Sequence, residues 1–179
     1  MIELKPAPNG YMSPQDPGEP GRNQPRWSVN DREARIIGEL CRGLDVLEIG
    51  TGLGISTKAI NEKAADLDTV DIDLFVQQNI FPELKKLGVF CHNSFEDCVK
   101  DMDPDPKIST RWTALFLDGF HEYNQVKKDI AAARPWLAPG AIMIFHDLYI
   151  DGVYRGIIDS GLAPLHIQTV AGIGVCWND

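Results

Sequence analysis

The chain has no C-x-x-C pair, no long apolar run and no excess of positive charge, and each absence removes a class of function. Its four cysteines, Cys41, Cys91, Cys98 and Cys176, are scattered, so neither a zinc knuckle nor a redox dithiol is written here. Cys91, His92 and Cys98 lie close enough to offer three metal ligands, but each falls where a strand or helix takes a small buried residue, and free cysteine is commonly core. No stretch approaches the roughly 18 consecutive apolar residues of a membrane span. The opening MIELKPAPNGYMSPQDPGEP lacks the basic lead and apolar centre of a secretion signal, so cytoplasmic residence without membrane contact is expected. A formal net charge of -9 leaves no cationic surface to displace counterions from phosphate. That excludes a nonspecific grip on nucleic acid and favours a small-molecule partner; whether the chain forms homo-oligomers is left open.

What is present is a chain of 179 residues, 44% apolar and 24% charged, ordinary values for one soluble domain. Six prolines between Pro6 and Pro25 mark residues 1–26 as an extended arm, and the folded domain is expected over residues 27–179. Asn30 followed by Glu33 is a capping-box spacing, and Ala34, Ile36, Ile37, Leu40 and Cys41 form the apolar stripe of a helix over Asp31 to Cys41. Strands are expected at Asp45 to Ile49, Thr69 to Ile72, Val89 to His92, Ala114 to Leu117 and Ala141 to Phe145. Helices are expected near Ser56 to Ala65, Leu74 to Leu87, Ser94 to Met102 and Asn124 to Leu137. Apolar strands alternating with amphipathic helices predict a parallel sheet covered on both faces. The end, LHIQTVAGIGVCWND, reads as two strands joined by a tight Ala171-Gly172 turn, so one strand there runs antiparallel.

The stretch LDVLEIGTGLGIST places Gly50, Gly52 and Gly54, with Thr51 between them and Ser56 beyond, where a strand passes into a helix. In open α/β sheets ligands bind at that edge, and a helix N-terminus there presents free N–H groups to carboxylate or phosphate oxygens. The dinucleotide pattern G-x-G-x-x-G fails in both registers, because Ile55 or Thr57 stands at the sixth position. Asp71, in TVDID, falls where a carboxylate accepts both ribose hydroxyls of an adenosine ligand. Glu48 is the one charge inside an otherwise apolar strand that starts at Asp45; a pyrophosphate beside it would be repelled, whereas a ligand carrying an ammonium and a sulfonium would not.

VLEIGTGLG followed by VDID resembles motifs I and II of the S-adenosylmethionine-dependent methyltransferases with a Rossmann-like fold. The resemblance implies that Gly50, Thr51, Gly52, Gly54 and Ser56 cradle the methionine part, that Glu48 supports the loop, and that Asp71, with Ile72 beside it, holds the ribose. HNSFED places Ser94 and Phe95 where the family surrounds the adenine, with Ser94 also a plausible N-cap. The segment from Ala114 to Asp147 is similar to the small-molecule O-methyltransferase branch that includes macrolide-sugar methyltransferases and cephalosporin-hydroxylase-like proteins. It has a strand ending in Asp-Gly-x-His, a helix, a Pro-Gly turn and a strand ending in His-Asp. The implied fold is a doubly wound, mostly parallel α/β sheet of seven strands, order 3-2-1-4-5-7-6, with the last antiparallel.

Asp118, His121, His146 and Asp147 follow the fourth and fifth strands, which would bring them beside the transferred methyl. Methyl transfer to a hydroxyl needs alignment and removal of a proton, and a histidine titrating near neutrality suits the second task. By resemblance His121 is the base, with His146 its rival and Asp147 an orienting group; Asp118 borders the cofactor. Relatives hold magnesium through the aspartate of Asp-Gly-x-His and an acidic pair after the fifth strand. Here Asp118 and Asp147 match, but His146 replaces the first acid, and imidazole suits zinc, iron or manganese better than magnesium, so a divalent cation, Mg or Mn, is left open. The alternatives are an NAD(P)-dependent oxidoreductase, to which Tyr123 and Lys127 would contribute a Y-x-x-x-K pair, and a noncatalytic S-adenosylmethionine-binding module. The oxidoreductase reading lacks its glycine loop, since Ser56 stands where a glycine is needed. The arm, with Tyr11 and Trp27, is expected to close over the acceptor. Removal of residues 1–25 should therefore raise acceptor KM severalfold or abolish turnover while cofactor affinity, read by calorimetry, stays unchanged; unaltered kinetics would remove the lid.

Overall fold

The computed structural model describes residues 29–72, 94–99 and 111–179, so the arm, the helix expected near Leu74 to Leu87 and the strand expected at Val89 to His92 lie outside the described residues. The chain enters through α1 (Asp31–Leu40), whose Asn30 cap is a full capping box: Asn30 Oδ1 accepts from the Glu33 N–H at 2.9 Å, and Glu33 Oε2 accepts from the Asn30 N–H at 3.3 Å. Next come β1 (Asp45–Ile49), α2 (Ile55–Lys63), β2 (Asp66–Val70), α3 (Phe95–Val99), β3 (Trp112–Leu117) and α4 (Tyr123–Ala133). A 3-10 turn (Arg134–Trp136), β4 (Leu137–Phe145), α5 (Asp151–Ile158), β5 (Leu165–Ile167) and β6 (Ile173–Trp177) complete the order.

The six described strands form one sheet in the order β2-β1-β3-β4-β6-β5. The first four are parallel, and β6 runs antiparallel to both β4 and β5. With the expected third strand outside the described residues, this is the expected order for the rest. Period-two alternation divides the core. Leu47, Ile49, Leu115, Leu117, Met143 and Phe145 face α3, α4 and α5, whereas Val46, Ala114, Phe116 and Ile144 face α1 and α2.

Three boundaries depart from the sequence expectation. Strand β2 begins at Asp66 and ends at Val70, not over Thr69 to Ile72. Its polar start is tolerated because buried Asp68 accepts from Trp112 Nε1 at 2.9 Å and pairs with Arg111 Nη2 at 2.8 Å. Helix α4 stops at Ala133 instead of Leu137: Pro135 follows within two residues, a 3-10 turn takes its place, and β4 starts at Leu137 with an irregularity around Pro139 and Gly140 before its register with β3 resumes at Ile142. Helix α5 was not anticipated at all. Its two glycines mute the helical pattern, yet Gly156 is required by packing, since a Cβ there would stand 2.8 Å from Val126 Cγ1 of α4.

Candidate functional site

The carboxyl ends of the parallel strands open onto a cavity of about 930 Å³. Its size suits a cofactor with part of a second ligand. At its centre β1 ends at Gly50, which has φ +99° and whose missing Cβ would run into the carbonyl of Asp118 at the exit of β3. The nearest demand for glycine at this position is therefore the neighbouring backbone, which lets the β1 turn and the β3 loop border the same space. Gly54, with φ +74° and ψ +20°, caps α2 in the left-handed conformation.

Of the residues expected at the cofactor, Gly50, Thr51, Gly52, Ser56, Asp71, Ile72, Ser94, Phe95 and Asp118 line this cavity. Gly54 and Glu48 do not. Glu48 is fully buried behind the turn, on the α1–α2 side of the sheet, where it accepts from Ser56 Oγ at 2.9 Å and Thr69 Oγ1 at 2.7 Å. Burial away from any cation, against these hydroxyl bonds, pushes its carboxyl up to about 7. It braces Ser56 and Thr69 from below and does not line the cavity. Asp71 stands just past β2 with Oδ2 accepting from the Gly52 N–H at 2.7 Å, so the acid expected at the ribose also fixes the glycine turn. Ser94 caps the short α3, its Oγ accepting from the Asp97 N–H at 3.4 Å.

At the β3–β4 end, His121 lines the cavity, while His146 and Asp147 lie beneath it. His121 Nε2 is 3.0 Å from Asp147 Oδ2 and 3.6 Å from Asp118 Oδ1; His146 Nδ1 is 3.2 Å from each of the same two oxygens. Asp147 has φ +54°, the one positive value at a non-glycine among the described residues, which turns its carboxylate back toward the histidines. Both imidazoles are held protonated: burial opposes the charge, but the two aspartates raise His121 to about 9 and, with Glu33, hold His146 well above its ordinary value. The expectation of a base near neutrality is thus corrected; His121 becomes a proton acceptor only when something else neutralises Asp118 and Asp147.

Glu33 was expected only as half of a capping box. Its Oε2 also meets His146 Nε2 at 3.2 Å and its Oε1 accepts from the Ala171 N–H at 2.9 Å, joining the start of α1, the end of β4 and the β5–β6 connection in one buried carboxylate. Burial works against its charge, but His146 and Ala171 hold it down to about 2. Nothing in a capping-box spacing announces such a role. Asp129 of α4 was also passed over. It borders the cavity, is 3% exposed, and its one hydrogen bond among the described residues comes from Gln125 Nε2, 2.9 Å from Oδ1.

Asp118, His121 and Asp147 each offer one ligand atom, all within 4.8 Å of one another, and both His121 Nε2 and His146 Nδ1 are buried without a well-aligned hydrogen-bond partner. Convergent carboxylates with misaligned imidazole nitrogens fit a divalent cation of mixed N/O preference.

A family model described as a methyltransferase domain matches residues 47–148, from the glycine turn through Asp71 to the histidine–aspartate cluster. The chain belongs to this methyltransferase-domain family. Among solved structures, the methyltransferase fold seen here is similar to the O-methyltransferase TomG of Streptomyces achromogenes in complex with SAM, at 14% identity and TM-score 0.68, over 84% of this chain and 81% of that one. It is also similar to an O-methyltransferase of Bacillus cereus in complex with SAH, at 16% identity and TM-score 0.67, over 86% and 83% of the two chains. A third likeness is to cofactor-bound Rv0187 from MTB, at 18% identity and TM-score 0.69, over 86% and 82%. No curated protein matches the sequence.

Two stability predictions arise from the buried acids. Glu33→Ala leaves His146 facing an empty partner site and uncaps α1, and should lower unfolding free energy by about 3 kcal/mol in urea titrations. Burial, with Glu96 adding to it and Gln125 and Lys128 opposing it, raises Asp129 from 3.8 to about 6. The folded protein then keeps a proton that the unfolded chain releases, so the stability present below pH 3.8 is lost as the pH rises through 6. Asp129→Asn should be neutral at the low end of that range and gain roughly 2 kcal/mol in urea unfolding once the pH is well above it.

Proposed function

We propose that this methyltransferase moves a methyl group from S-adenosylmethionine to a hydroxyl of a small molecule. The observation that carries the reading is the continuity of one cavity: Asp71 and the glycine turn border it at one end and His121 at the other, so a sugar anchor and a proton acceptor face the same ligand space. The likeness to O-methyltransferases with bound SAM or SAH supports the same cofactor.

In this mechanism Asp71 accepts the ribose hydroxyls, the N–H groups of the turn and the first turn of α2 hold the methionine carboxylate, and Ser56 is oriented by Glu48. The acceptor hydroxyl lies beside His121, in line with the sulfonium–methyl bond. His121 takes the hydroxyl proton at the ring nitrogen turned away from the carboxylates, Asp147 keeps the ring aligned through Nε2, and His146 is held from behind by Glu33. Asp118 and Asp147 would hold the divalent cation, which when bound would supply polarisation of the acceptor oxygen.

Calorimetry should show saturable binding of S-adenosylhomocysteine and none of NADH. His121→Ala and Asp147→Ala should each lower kcat by about 100-fold or more, with S-adenosylhomocysteine affinity changed less than about threefold for His121→Ala. Unchanged turnover in both variants would remove these residues from catalysis, and a wild type that binds S-adenosylhomocysteine yet turns over no hydroxyl acceptor would be a binding module. Manganese titrated in place of magnesium, read by electron paramagnetic resonance, should bind wild type and lose affinity about 10-fold or more in Asp147→Ala; no binding removes the metal.

A further inference from the structure

The mechanism above leaves one buried titratable group of the cavity without a task. Asp129 projects from α4 with Gln125 on Oδ1, and its Oδ2 lies toward Gly119 at the exit of β3: a Cβ built on that glycine would stand 3.8 Å from it. Helix α4 packs on α3 here, and Glu96 of α3 is near enough to influence the Asp129 charge. The acid therefore lies beside the helix whose start, Ser94 and Phe95, borders the same cavity. If the ribose sits at Asp71, the methionine arm extends over the glycine turn and the purine must extend the other way. Ile72 and Phe120, 67% and 62% exposed, border the same cavity as apolar surfaces.

We propose that Asp129 is the base-reading residue of the cofactor site, its Oδ2 accepting an N–H of the exocyclic amine of adenine while Gln125 fixes the carboxylate through Oδ1. The inference rests on the S-adenosylmethionine reading above and deepens it. A carboxylate is acceptor-only when ionised. The adenine amine offers it a donor, whereas the 6-oxo group of a hypoxanthine base would turn an oxygen lone pair toward it. Gln125 supplies the single donor among the described residues that steadies the acid, and because it is neutral it leaves the negative charge available to the ligand. The carboxylate is retained at a cost in stability, since burial disfavours its charge, and a desolvated acid on a ligand cavity wall is the usual mark of a group kept for binding. An asparagine in its place would present either its oxygen or its amide N–H, and would accept both bases.

The test is calorimetric titration of the full chain with S-adenosylhomocysteine and with S-inosylhomocysteine, in wild type and in Asp129→Asn. Wild type should prefer the adenosyl form by about 100-fold, and the variant should reduce that preference to within about fivefold, chiefly by gaining affinity for the inosyl form. A merely structural role would weaken both ligands alike and leave their ratio untouched, which overturns the proposal; equal binding of both by wild type overturns it as well. Wild type that binds neither ligand defeats the cofactor reading itself, and the proposal with it. Circular dichroism of the isosteric variant, expected to match wild type, confirms that the ratio is read from a folded protein.

Discussion

The site depends on how closely β1 and β3 approach at their carboxyl ends. Parallel strands side by side would normally separate their exit loops by the width of the side chains that follow them. At Gly50 there is no side chain, φ is positive, and the Asp118 carbonyl occupies the direction a Cβ would take. The glycine turn and the loop that carries Asp118, Gly119 and His121 therefore share one wall of one cavity. Asp71 then ties the turn to β2 through the Gly52 N–H, so three strand exits are fixed relative to one another before any ligand arrives.

Around this frame the chain distributes its excess negative charge inward as well as outward. Glu33, Glu48, Asp68, Asp129 and Asp147 are all buried, and their partners decide what each can do. Where the partner is an imidazolium, as for Glu33 and Asp147, the acid is pulled down against the cost of burial. Where the partners are hydroxyls or an amide, as for Glu48 and Asp129, desolvation wins and the acid is pushed up. The first kind stabilises the histidine end of the cavity. The second kind tolerates or awaits a donor, below the glycine turn for Glu48 and on the cavity wall for Asp129.

The frame was legible in the sequence because it is written in periodicity and punctuation. Apolar runs marked β1, β3 and β4; the glycines marked the turn; Asn30 and Glu33 marked the start of α1. What was not legible depends on contacts across long sequence separations. Asp68 looks unlike a strand residue until Trp112 and Arg111, more than 40 positions away, supply the donors. Gly152 and Gly156 argue against a helix until α4 is seen packed against it. Glu33 reads as a local cap, and only the folded chain brings His146 and Ala171 to it. The histidine–aspartate cluster was read correctly as a cluster but not in its charge state, because the proton affinity of His121 is set by two carboxylates from different strand exits.

That charge state has a consequence for any cation that enters. Two imidazoles face three carboxylates, and each imidazole nitrogen that meets Asp118 or Asp147 is close to an oxygen a metal would also claim. Protons and a divalent ion therefore compete for the same acids, and ligation by a histidine requires its lone pair. Were His121 to ligate such an ion, the nitrogen facing Asp118 and Asp147 would first have to give up its proton. His146 has Glu33 behind it, so its Nε2 proton keeps a partner even when Nδ1 gives its proton up. Behind His146 the compensating negative charge is thus Glu33, one layer deeper, where α1 and the β5–β6 connection hold it in place.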